Sequence, residues 1–127
     1  MMARVALKPG KFAPFPRCRR LARSREYQCV FSEGMRSVER AFVVLARPNA
    51  LGFPRLGLAV SRKQLRGAVQ RNRVKRLIRE SFRRHQGELG QLDLVVIARK
   101  GVDAMATEEV FGVLQRHWAK VSHYSST

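Results

Sequence analysis

The sequence predicts an α+β fold: a single-domain α–β sandwich in the order αβββαβα, its helices packed on a mostly antiparallel sheet. Three observations predict it. The 127 residues are 45% apolar, which suits one core in one domain. Three short segments rich in branched and apolar residues, bounded by Pro, Gly or Asn, read as strands. One short and two longer segments space their apolar residues at the helical period.

Residues 1–23 hold no acid and three prolines, Pro9, Pro14 and Pro16, and read as a flexible basic arm. No apolar run follows these charges as a secretory signal requires. The domain spans 24–122, with a tail at 123–127. Ser24 can cap a short helix, Arg25–Ser32, whose apolar side is Tyr27, Val30 and Phe31 and which stops at Gly34. A short strand is expected around Arg36–Val38. Ala41–Ala46 forms the next strand, closed by Pro48 and Asn49, and Arg55–Ser61 follows Pro54. The short, turn-rich connection predicts that these two pair as an antiparallel hairpin. Residues 68–86 form the longest helix, with Val74, Leu77, Ile78 and Phe82 on one side and Gly87 at its end. Leu92–Ala98 is almost continuously apolar, the pattern of a strand buried centrally or covered on both faces. A last helix starts at the cap Thr107, carries Glu108 and Glu109 in its first turn, and runs to about Val121 on a stripe of Phe111, Leu114, Trp118 and Val121.

The charge is the strongest functional signal. Formal net charge is +17, and a polyanion, nucleic acid first, is the partner that offsets such self-repulsion. Residues 62–84 hold ten Lys or Arg against one acid, Glu80. Twenty of the 26 basic residues are Arg, whose planar fork pairs with phosphate and stacks on bases. Wound as a helix, Asn72, Arg76, Arg79 and Arg83 line a stripe opposite the apolar face, with Arg71 and Lys75 on one flank and Arg73 and Arg84 on the other. Glu80 offers i,i+4 relief to Arg76 and Arg84. A merely solvated face would mix signs, which this one does not. Charge alone leaves DNA and RNA open, although the spacings of helix-turn-helix, zinc-finger and zipper proteins are absent. Tyr27 and Phe31 beside Lys63 suit splayed single-stranded nucleotides, and the same helical spacing equally suits core residues.

Catalytic constellations are missing from the sequence. The nine acids are scattered, His85, His117 and His123 lack ligand spacing, and Ser24, Ser61 and Ser81 have no local base. The polypeptide is therefore expected to be catalytically silent and to hold no cofactor. Two cysteines, Cys18 and Cys29, without CxxC spacing fit a reducing cytosol. No apolar run is long enough to span a bilayer, so no membrane partner is expected. The competing readings are a general RNA- or DNA-binding protein of ribosomal type and a stand-alone nuclease.

The segment Gly67–Ala68–Val69–Gln70–Arg71–Asn72–Arg73–Val74–Lys75–Arg76–Leu77–Ile78–Arg79–Glu80–Ser81–Phe82 resembles the Arg-Asn-Arg signature of the bacterial ribonuclease P protein subunit. Phe15–Pro16–Arg17, the short helix with Tyr27 and Phe31, the strand Arg55–Ser61 followed by Arg62–Lys63, and Asp93–Ala98 followed by Arg99–Lys100–Gly101 fall in that family's order. The resemblance implies a fold like domain 2 of ribosomal protein S5. It further implies a cytoplasmic accessory to a catalytic RNA that removes the 5′ leader from precursor tRNA, with Mg²⁺ held by the RNA and no obligate protein partner. On that resemblance Arg62, Arg66, Arg71, Asn72, Arg73, Lys75, Arg76, Arg79 and Arg83 would dock on the catalytic RNA. Tyr27, Phe31, Val43, Leu45 and Lys63 would line a cleft for the single-stranded leader.

Overall fold

A computed structural model describes residues 34–125. The basic arm and the expected helix Arg25–Ser32 lie outside the described residues. The elements are β1 (Met35–Val38), β2 (Phe42–Pro48), β3 (Arg55–Ala59), α1 (Ala68–Leu89), β4 (Leu92–Ala98), a 3-10 turn (Val102–Ala104) and α2 (Thr107–Ser125). The α+β class and the βββαβα portion of the expected order are present.

The strands form one sheet in the order β1-β2-β4-β3. β1 pairs antiparallel with β2, β2 antiparallel with β4, and β3 parallel with β4. The expected hairpin between β2 and β3 is therefore not formed. The two strands do run in opposite directions, but β4 lies between them. β4 has the stronger claim to the centre because both of its faces are apolar: Leu92, Leu94 and Val96 point into the helix-covered core and Val95 into a second cluster, each with no exposed surface. The connection 49–54 is not a two-residue turn. It bulges through left-handed backbone at Ala50 (φ 59°) and Gly52 (φ 88°), long enough to step over one intervening strand at ~4.8 Å spacing.

Two helix boundaries also differ from expectation. α1 passes through Gly87 and ends at Leu89, with Gly90 (φ 58°) as its cap. Burying Leu89 completely outweighs the ~1 kcal/mol that a mid-helix glycine costs. In α2, Thr107 is the first helical residue rather than the cap. The Ala106 carbonyl accepts the first helical bond from Val110 N–H, and Ala106 N–H donates to Glu109 Oε1 at 2.9 Å, half of a capping box.

Both helices cover one face of the sheet, where Phe42, Val44, Leu56, Leu94, Ile78, Phe82, Leu114 and Trp118 share the main core. Trp118 Nε1–H donates to Ser81 Oγ (2.8 Å), and the Trp118 and Phe82 rings meet edge-on at 6.3 Å. The indole is thus satisfied while its rings fix how α2 lies on α1. Among the described residues no helix is long and apolar enough to cross a membrane.

His117 of α2 is completely buried, its Nδ1 hydrogen-bonded to Ser37 Oγ of β1 (2.8 Å), while Nε2 finds no partner among the described residues. Burial pushes this imidazole from 6.5 down to about 4; the nearby Lys120 and Arg116 charges also lower it, against the opposing pull of Glu39 and the Phe42 backbone. A base whose folded pKa is depressed contributes stability fully above its unfolded value and loses it as the pH falls towards the folded value. Stability is therefore expected to decline between pH 6.5 and 4.5 by about 2–3 kcal/mol. Urea unfolding across that range checks it: His117→Gln should flatten the decline, and an equally steep decline in the variant would assign it to other groups.

Candidate nucleic-acid interface

α1 presents its cations as the periodicity predicts, but the structure divides them into two groups. Arg71 turns back on the preceding loop, where its Nη1–H donates to the carbonyls of Leu65 (2.9 Å) and Arg66 (2.7 Å). Arg73 reaches the other way, donating from Nη2 to Met105 O (3.0 Å) and Thr107 Oγ1 (3.3 Å). The two arginines of the Arg-Asn-Arg run are braces. One holds the loop that carries Arg62, Lys63 and Arg66, and the other holds the start of α2.

Arg83 forms a two-pronged pair with Glu80, Nε to Oε1 at 3.1 Å and Nη2 to Oε2 at 2.6 Å, and Arg84 adds Nε to Oε2 at 2.9 Å. These bonds and charges, Arg83 first, hold the Glu80 carboxyl below its usual range, and Glu80 in turn raises Arg83. Relief thus goes to Arg83 and Arg84, not to Arg76 as the i,i+4 spacing suggested. Arg84 also lies 5.3 Å from the centre of the Phe111 ring, a cation–π contact across the helix pair.

The second group is, apart from Arg79, not engaged in this way among the described residues. Arg62, Lys63, Arg66, Asn72 and Arg76 are exposed and Lys75 is half-buried, and none of these side chains has a partner among the described residues. Arg79 is half-buried and engaged. Leu65, 1% exposed, anchors the loop to the core, so Arg62, Lys63 and Arg66 sit on a fixed turn beside the start of α1. Holding several guanidinium groups this close without counter-charge is unfavourable in the free protein and favourable once phosphates lie between them.

The sheet face opposite α1 and α2 carries the rest. The register aligns Val38, Val43, Ile97 and Ala59 in one row and Arg36, Leu45, Val95 and Gly57 in the next. Of the expected cleft residues, Val43 lines an open pocket of about 660 Å³, whereas Leu45 is packed against Val95 and only 3% exposed. Lys63 stands next to Gln64, which lines the same pocket. Tyr27 and Phe31 lie outside the described residues. Four further cations line the pocket, Arg36, Arg40, Arg99 and Lys100. Sequence reasoning missed them as site residues because they are scattered along the chain. The signal that could have found them is the antiparallel register of β1 on β2, which puts Arg36 on the same face as Val43 and Leu45.

The same sequence pattern and fold recur in known proteins. The family described as Ribonuclease P matches residues 15–122. The ribonuclease P protein component of Methylococcus capsulatus is 50% identical over 110 residues, covering 87% of this chain and 86% of that protein. That of Vibrio parahaemolyticus is 45% identical over 111 residues, covering 87% and 94%. Among solved structures, the Staphylococcus aureus RNase P protein superposes with a TM-score of 0.74 at 33% identity, covering 82% of this chain and 94% of that one. The Thermotoga maritima RNase P protein gives 0.72 at 35% identity, covering 80% and 96%. The match spans the strands, the basic helix and the final helix together, and the chain belongs to the ribonuclease P protein family.

Proposed function

We propose that this protein, as the protein subunit of ribonuclease P, docks on the catalytic RNA through the loop 62–66 and the outward side of α1, and guides the single-stranded 5′ leader of precursor tRNA along the sheet face opposite α1 and α2. The observation that carries the reading is the set of exposed groups at Arg62, Lys63, Arg66, Asn72 and Arg76, without side-chain partners among the described residues, on a turn and helix fixed by Arg71 and Leu65. An RNA backbone supplies the missing counter-charge, with affinity that falls as salt rises. The sheet face offers apolar surface beside cations, which single strands use for bases and phosphates together. Arg71 and Arg73 support docking by holding the surface in shape, with their remaining N–H groups available to phosphate.

The polypeptide contributes binding rather than bond cleavage. Three of its acids, Glu39, Glu80 and Asp93, are engaged by arginines, which leaves them poor candidates for metal ligation or proton transfer. Hydrolysis belongs to Mg²⁺ held by the RNA, in the cytoplasm, with no further protein required. The test is reconstitution. The purified protein should cleave precursor tRNA at background rate, and adding the cognate catalytic RNA should restore cleavage at low Mg²⁺ beyond what the RNA achieves without the protein. Cleavage by RNA-free protein would overturn the assignment.

A further inference from the structure

β1 is an open edge of the sheet: β2 lies on one side of it and, among the described residues, no strand lies on the other. Glu39 N–H donates to Phe42 O at 3.0 Å, and antiparallel bonds recur at every second residue. Met35, Ser37 and Glu39 therefore bond across to β2, while the N–H and C=O groups of Arg36 and Val38 point out of the sheet. These four groups find no partner among the described residues. The side chains are bare as well. Met35, opposite Ala46 on the helix side, is 45% exposed, and Val38, opposite Val43 on the other face, is 54% exposed. Large apolar side chains are exposed at four positions among the described residues, and this four-residue strand holds two of them. Such an edge is a template for a further strand.

The surroundings of the edge are cationic on both faces. Arg36 and Arg40 are exposed and have no side-chain partner among the described residues. On the helix side, α2 is joined to β1 by the Ser37–His117 bond and brings the exposed Arg116 and Lys120. These two share one carboxylate, that of Glu39, at 2.9 Å and 3.7 Å. The chemistry of the occupant follows. Outward N–H and C=O groups two residues apart match the ~6.8 Å repeat of an extended polypeptide, which supplies acceptors and donors alternately. An RNA strand would take the N–H groups with its phosphates and offers no such alternation to the carbonyls. A second copy of this chain has the main chain but carries the same formal charge of +17, and pairing two β1 strands would bring the arginines of both together. An acidic polypeptide meets both requirements.

We propose that the β1 edge binds an extended acidic, partly apolar segment of a partner protein as an added strand, with main-chain bonds to Arg36 and Val38 and carboxylates set among Arg36, Arg40, Arg116 and Lys120. This is independent of the leader reading above. The probe is a fluorescently labelled, end-blocked octapeptide of alternating Glu and Val. Its control is the same peptide N-methylated at every residue, which keeps the charge and loses the donors. Binding is measured by anisotropy on the full chain reconstituted with its catalytic RNA, so that the cations of α1 are already covered. The unmethylated peptide should bind, and methylation should weaken it by about tenfold or more, the worth of two hydrogen bonds. Val38→Pro should weaken it similarly, because it removes an N–H that points out of the sheet, a change that an edge strand tolerates. Thermal denaturation reads whether that variant is folded, and the methylated peptide gives the same test on the wild type. Equal binding of the two peptides overturns the proposal, since charge alone then suffices, and so does binding of neither. Wild-type affinity in a folded Val38→Pro variant also overturns it, placing the peptide elsewhere. Two further outcomes reassign the edge and overturn the proposal. A dimer of the RNA-free chain that Val38→Pro abolishes, seen by sedimentation, gives it to a second copy. Lost affinity of that variant for precursor tRNA, with peptide binding intact, gives it to RNA.

Discussion

Replacing Arg62, Arg66, Lys75 and Arg76 together by glutamine is expected to weaken binding of the catalytic RNA by two to three orders of magnitude while leaving Tm unchanged or slightly raised. Each cation that neutralises a phosphate contributes roughly 0.7–0.9 to the slope of log K against log salt, and at near-physiological salt each is worth somewhat less than a factor of ten. Four such contacts removed should flatten the slope by about 3. Stability should not fall, because none of these side chains has a partner in the described fold and each adds repulsion to its neighbours. Arg71→Gln and Arg73→Gln supply the contrast. They remove bonds to Leu65 and Arg66, and to Met105 and Thr107, and should each lower stability by about 1–2 kcal/mol as well as affinity. Salt-dependent binding and thermal denaturation on the same samples read both effects. A quadruple variant with an undiminished slope would place the RNA contact elsewhere.

This division between docking cations and bracing cations shows where the sequence is legible and where it stops. Charge density and helical phase depend on residue type and spacing alone, so the outward side of α1 is readable in the order of its residues. What a guanidinium reaches depends on chain that returns from far away. Arg73 meets Met105, 32 residues on, and nothing in the local pattern around Arg73 marks that encounter. Strands behave the same way. Alternation tells which side chains share a face, and it correctly unites Val43 with Leu45, but it does not say which strand lies alongside. β4 is legible as central because its apolar run leaves no face for water. That it also separates β2 from β3 is a property of the whole sheet. The pocket cations Arg36, Arg40, Arg99 and Lys100 come from two segments joined by β2 and β4, so they become neighbours only once the sheet is assembled.

Arg55→Met is expected to lower stability by about 3–5 kcal/mol, and Tm by ~10–20 °C, the largest loss anticipated for any single change outside the main core. Arg55 opens β3 and stands opposite Asp93 of β4 in the parallel register. Its Nε donates to Oδ1 and its Nη2 to Oδ2, both at 2.8 Å, and Asn49, just past β2, donates to Oδ1 at 2.8 Å. This cluster ties the ends of three strands together where β3 lies against β4 instead of β2. Asp93 is only 2% exposed, so losing its arginine would leave a buried carboxylate with Asn49 as its remaining partner among the described residues. Removing one member of a buried pair costs far more than removing both, because the cost lies in the stranded charge. Arg55→Met/Asp93→Asn should therefore recover a large part of the loss, a coupling that a double-mutant cycle measures directly. If the double variant is as unstable as Arg55→Met, the packing of the Arg55 stem carries the stability and the charge pair does not. The cluster lies on the sheet face opposite α1 and α2, at the other end of β4 from Arg99 and Lys100. The folded fraction of either variant should therefore bind the catalytic RNA with the affinity of the wild type.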